Sequence, residues 1–128
     1  MSKSAIVLFA HGSRDDKWSE PLQLIRESIA AIDKEVPVSI AFLEFMQPTL
    51  MDVIASLATQ DIDRVTLIPL FVSAGKHLKS DLTSLLAETK QKHPSIRITL
   101  VPSLGESEDM RDMIADWAYR THRNACRS

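Results

Sequence analysis

Two rhythms of apolar residues alternate along the chain. Ala5 to Ala10 is an unbroken apolar run, the pattern of a parallel strand covered on both faces. It stops abruptly at a polar, turn-forming corner: His11, Gly12, Ser13 and Arg14. Over residues 18–34 the spacing changes, and Trp18, Leu22, Ile25, Ile29 and Ile32 draw one helical stripe. Ser19, Asp15 or Asp16 can cap that helix, and Pro21 is tolerated only in its first turn. Val36–Pro37 breaks it. Residues 38–46 predict a second strand, with Glu44 near its carboxyl end. Pro48 and Thr49 open a second helix whose stripe is Leu50, Val53, Ile54 and Leu57, and residues 60–64 are a polar connector.

The second half follows the same plan. Residues 65–77 combine a third strand with another polar corner, and Val65 to Val72 is apolar apart from Thr66 and Pro69. A proline cannot donate to a central ladder, so Pro69 marks the strand's end or a bulge. Leu78, Leu82, Leu85 and Leu86 predict a third helix that starts near Gly75, holds His77 in its first turn and ends at His93–Pro94. Residues 96–101 predict the fourth strand, and Pro102 to Gly105 a loop. Met110, Met113, Ile114 and Trp117 form the stripe of a last helix, read as core, and residues 121–128 are expected to fray. The order βαβαβαβα with right-handed crossovers predicts an α/β fold: a single four-stranded parallel sheet with helices on both faces. A flavodoxin-like strand order, 2-1-3-4, makes strands one and three neighbours and puts their carboxyl ends at the switch point, where such sheets bind ligands.

Composition narrows the function. With 128 residues, 45% hydrophobic and 25% charged, the chain reads as one soluble domain over 1–128. A net charge of −2 and 5% aromatic residues give neither the basic footprint nor the stacking surface of a nucleic-acid binder. No stretch approaches the ~20 apolar residues of a membrane span, and the N-terminal apolar run is shorter than the ~7–15 residues of a signal-peptide core. The lone cysteine, Cys126, has no internal disulfide partner, which fits a reducing cytoplasm. Three glycines are too few for either phosphate cradle: G-x-G-x-x-G is missing after the first strand, and G-x-x-x-x-G-K-[ST] is missing throughout. No aspartate ends strands one or three, so a nucleotide or phosphate-signalling domain is disfavoured.

The corners carry the chemistry. In the 2-1-3-4 order His11 and His77 face each other at the switch point, and Glu44 lies on the other side of strand one. Two imidazoles and a carboxylate suit a divalent transition metal. Three protein ligands leave coordination positions open, as catalytic metal sites do. The same trio can instead move protons, because unperturbed imidazole titrates near physiological pH. Each residue also has a plainer reading. Arg14 can pair with Asp15 or Asp16, the lysines can be a solvated face, and Glu44 can be a solvated strand end. His93, His122 and Cys126 read as inert surface residues, Met110 and Met113 as core, and Met46 sits towards the mouth.

Three segments carry a family resemblance: HGSR at 11–14, FLEFMQPTL at 42–50 and PLFVSAGKHLKSDL at 69–82. Together, in this order and over about the whole chain, they resemble the short sirohydrochlorin chelatases, class II enzymes related to the larger ferrochelatases. The resemblance implies insertion of divalent cobalt or iron into sirohydrochlorin without nucleotide hydrolysis, in cobalamin or siroheme biosynthesis. It implies no permanent cofactor, a homodimer, His11 and His77 as the metal-insertion pair, and Glu44 as acidic helper. Sirohydrochlorin carries many carboxylates; Arg14, Lys17, Lys76 and Lys79 flank the histidines and can bind them, with Ser13 and Ser73 as further partners. Related short proteins that insert nickel carry a histidine-rich loop, whereas this chain has four histidines and no such run. Many relatives have a second glycine where Lys76 precedes His77. The main rival is a metal or tetrapyrrole carrier without turnover, since storage and delivery use the same ligands.

Overall fold

The computed structural model describes residues 3–127. Strand β1 is Ser4–Ala10, helix α1 Glu20–Ile32, β2 Val38–Phe42, α2 Leu50–Ala58, β3 Arg64–Pro69, α3 Lys76–Lys92, β4 Arg97–Leu100 and α4 Glu108–Cys126, with a 3-10 turn at Leu104–Glu106 before α4. The strands pair in parallel in the order β2-β1-β3-β4. The expected fold class and strand order are therefore those observed.

The two faces of the sheet are covered by different helices. Val7, Phe9 and Leu67 turn to one face and pack with Leu50 and Ile54 of α2 and Leu82 and Leu86 of α3. Leu8, Ala10, Ile40 and Phe42 turn to the other and meet Leu22 and Ile29 of α1. Full burial of such side chains stabilises by about 1.5–3 kcal/mol each, so these layers hold short helices that would be marginal alone. A capping box starts α2: the Asp52 N–H donates to Thr49 Oγ1 at 3.2 Å, and the Thr49 N–H donates to Asp52 Oδ2 at 3.3 Å.

The boundaries differ from the sequence reading where turns compete. Helix α1 starts at Glu20 because residues 15–18 form a turn of their own, with the Trp18 N–H on the Asp15 carbonyl at 3.0 Å. Ser19 occupies the cap position without a side-chain capping bond. Strand β2 ends at Phe42, which leaves Glu44 in the loop beyond it. Pro69 is the last residue of β3, as its missing N–H requires.

Helix α4 departs most. Residues 121–126, expected to fray, continue it, and an Asp116–Arg120 pair at 2.9 Å braces the turn before them; Ser128 lies outside the described residues. Its apolar stripe is not core. No residue of α4 is buried, and Met113 and Trp117 are 62% and 60% exposed. The helix packs on the Leu104–Glu106 turn; on the α1 side of β3 and β4 Thr66 and Ile68 are only half-buried and Thr99 is exposed, and a largely polar cavity of about 330 Å³, lined by Ser4, Arg64, Thr66, Arg97 and Thr99, opens at the amino ends of the strands.

The loops after β1 and β2 lock together. Ala10 and Phe42 are register partners at the strand ends. Past them the Leu43 N–H donates to the Ala10 carbonyl at 2.9 Å, and the Glu44 N–H to the His11 carbonyl at 3.0 Å. Gly12 sits between with φ +98°, and a Cβ there would strike the Glu44 carbonyl oxygen. Only glycine fits both the dihedral and the gap. Gly12→Ala is therefore expected to destabilise by about 2 kcal/mol or more and to lower Tm by roughly 5 °C or more; thermal unfolding followed by circular dichroism measures it, and an unchanged Tm contradicts the interlock.

Candidate active site

The locked loops bring two candidate side chains together. His11 Nε2 lies 2.8 Å from Glu44 Oε1, with the side chains 50% and 48% exposed. A pair this open adds at most about 1 kcal/mol to stability, so its consequence is orientation. In the neutral ring this geometry places the proton on Nε2, donated to the carboxylate, and leaves the Nδ1 lone pair free. A free imidazole lone pair can accept a proton or a divalent metal, and the adjacent carboxylate can balance the charge that follows.

The other corner residues are distributed around the same edge of the sheet. Arg14 does not pair with Asp15 or Asp16. Its guanidinium lies 4.8 Å from the Phe45 ring centroid, while Asp15 Oδ1 accepts the Lys17 N–H at 3.0 Å. Ser13 Oγ accepts the Asp15 N–H at 3.0 Å, so its hydroxyl oxygen is already engaged in the turn. Gly75 caps α3, which makes Lys76 and His77 its first two residues, both exposed; Ser73 is exposed in the preceding loop. Lys79, one turn on, pairs with Glu106 at 3.5 Å. Beside it a cavity of about 380 Å³ opens at the carboxyl ends of β3 and β4, lined by Pro69, Leu82, Leu100 and Ser103 as well as Lys79 and Glu106. Neither His11 nor His77 lines it.

His11 and Glu44 thus form a contact, and His77 stands apart from it. Among the described residues no three histidine, cysteine, aspartate or glutamate side chains converge tightly enough to hold one ion. The position of His77 on the first turn of α3, beyond the loop that follows β3, separates it from the pair. His93, His122 and Cys126 take no part in this edge; Cys126 Sγ lies 3.7 Å from His122 Nδ1 at the far end of α4. One residue at the mouth was given no role from the sequence. Phe45, part of the 42–50 segment, follows Glu44 with φ +68° and is 55% exposed, where the second strand was expected to continue.

Comparison with known proteins gives the family. The family model CbiX matches residues 5–121. The sirohydrochlorin cobaltochelatase of Sulfurisphaera tokodaii is 24% identical over 127 residues, covering 96% of this chain and 98% of that protein. The sirohydrochlorin ferrochelatase of Bacillus subtilis is 28% identical over 109 residues, covering 84% of this chain but only 41% of that longer protein. A crystal structure of a cobalamin biosynthesis CbiX protein from Marinobacter aquaeolei VT8 superposes with a TM-score of 0.82 at 26% identity, over 94% of this chain and 98% of that one. The matched span takes in the locked loops, the cap of α3 and most of α4, and on that footing the chain belongs to the CbiX family.

Proposed function

We propose that this protein is a cytoplasmic class II chelatase that inserts a divalent metal, cobalt or iron, into sirohydrochlorin. The observation that carries the reading is the His11–Glu44 contact of 2.8 Å at the end of the central strand β1, in a chain whose relatives include enzymes named for this reaction with each metal. Insertion exchanges two macrocycle N–H protons for one dication, so the site must accept protons and hold a partly desolvated metal. His11 Nδ1 is the acceptor or first ligand, and Glu44 carries the proton or charge onward. The resemblance assigns His77 the second role, and its exposed place on α3 leaves it free to meet a macrocycle lying across the strand ends. Imidazole and carboxylate suit cobalt(II) and iron(II) alike, so the ligand set does not choose between them. Arg14, Lys76, Lys79, Ser13 and Ser73 ring this edge, and the cations are the partners for peripheral carboxylates.

The same reading includes a homodimer. An amphipathic helix of 19 residues with none buried is stable only when its apolar stripe is covered. The open half-face over β3 and β4 is the surface that a helix following β4 would ordinarily cover. A second copy supplies both halves of the match: α4 from each copy on the vacated face of the other, an exchange that closes with two-fold symmetry.

Two measurements test these statements. Anaerobic absorbance of sirohydrochlorin with cobalt(II) or iron(II) is expected to show many turnovers for the wild type. His11→Ala and His77→Ala should lose about 10²–10⁴ in kcat/KM while staying folded, and Glu44→Gln about 10–10². Wild type that binds the macrocycle yet never turns over is a carrier instead. Light scattering is expected to give a dimer mass for the wild type and a monomer for Trp117→Asp with unchanged far-ultraviolet circular dichroism. A monomeric wild type contradicts the exchange.

A further inference from the structure

Resting on the proposed macrocycle substrate, we infer that Phe45 is a positioning residue for that substrate: its ring, held by Arg14, is the surface on which the planar tetrapyrrole rests beside the His11–Glu44 pair. Four observations converge on this residue. Phe45 directly follows Glu44, whose N–H makes the last of the bonds that join the two loops. Its φ of +68° is a conformation that bulky side chains rarely adopt, and such outliers persist where the surroundings impose them and function uses them. Its ring is 55% exposed, so the conformation is not serving the core; the neighbouring Phe42, by contrast, is buried and meets Trp18 with ring centroids 6.4 Å apart. And the Arg14 guanidinium lies over it at 4.8 Å from the centroid.

A single exposed apolar residue is ordinary. An exposed aromatic ring locked in the left-handed region, beside the proton-accepting pair and under a cation, is a built feature. The chemistry it fits is an anionic, conjugated, flat ligand. One side of the ring is engaged by the guanidinium, and the rest is available for offset stacking against a macrocycle. Arg14 keeps donors for a peripheral carboxylate while it sits on the ring. Ring and guanidinium thus act as one unit: the first sets the plane of the substrate, the second its rotation about the insertion site.

The test titrates metal-free sirohydrochlorin anaerobically into wild type, Phe45→Ala, Phe45→Leu, Phe45→Trp, Arg14→Ala and the Phe45→Ala/Arg14→Ala double variant, and follows with steady-state insertion kinetics. Phe45→Ala and Phe45→Leu should each raise the Kd and KM for the tetrapyrrole about 3- to 10-fold, with the KM for metal unmoved. Phe45→Trp should restore binding to within about 2-fold, and the double variant should lose less than the product of the single losses. A wild-type Kd in Phe45→Ala, or in Phe45→Leu, which keeps bulk without the ring, overturns the inference. If wild type binds the macrocycle without turnover, the insertion reading fails and the Kd comparison still decides the role of Phe45. If wild type binds no tetrapyrrole, both fall.

Discussion

The structure depends on a backbone seam rather than on a side-chain contact. Two N–H···O bonds extend the β1–β2 ladder past the end of the sheet, from Leu43 to Ala10 and from Glu44 to His11. They are possible only because Gly12 lets the two loops touch. His11 and Glu44 inherit their positions from that seam. His11 leaves one side, Glu44 the other, and their 2.8 Å contact follows from the approach of the two backbones. The exposed ion pair is too weak to draw the loops together, so causation runs from the backbone to the pair. Phe45, the next residue along that loop, has φ +68°, and the Arg14 guanidinium lies 4.8 Å from its ring centroid.

Stability and chemistry are separated in this fold. The apolar layers on the two faces of the sheet are sealed by α1, α2 and α3, whereas the carboxyl edge is polar, exposed and made of loops. That division lets the candidate site groups be solvent-accessible without loosening the core. Helix α4 obeys neither rule. It is long and amphipathic, yet unburied, and an open half-face remains on the sheet it would ordinarily cover.

Much of this was legible in the residues, because apolar periodicity reports burial and burial decides strands and helices here. All four strands and four helices follow from it, whereas the strand order rests on the flavodoxin-like arrangement of such sheets. His11 and Glu44 were each readable as strand-end groups, but their contact depends on the Ala10–Phe42 register, a non-local fact. The stripe of Met113, Ile114 and Trp117 was visible and its destination was not, since periodicity is the same whether a helix faces its own sheet or another chain. Helix continuation through Thr121–Cys126 was missed because polar composition imitates fraying, although no glycine or proline stands there to stop the helix. Phe45 stood within the 42–50 segment, but its left-handed conformation was not legible, because phenylalanine is not a turn former.

The central claim is that the imidazole of His11, oriented by Glu44, accepts the proton or metal during insertion. Single-turnover absorbance of sirohydrochlorin metallation by His11→Ala, with and without added free imidazole, addresses it most directly. The account predicts slow insertion by the variant and a saturable recovery of rate with imidazole, which fills the space the side chain vacates. Insertion by His11→Ala at the wild-type rate, with no response to imidazole, would contradict it.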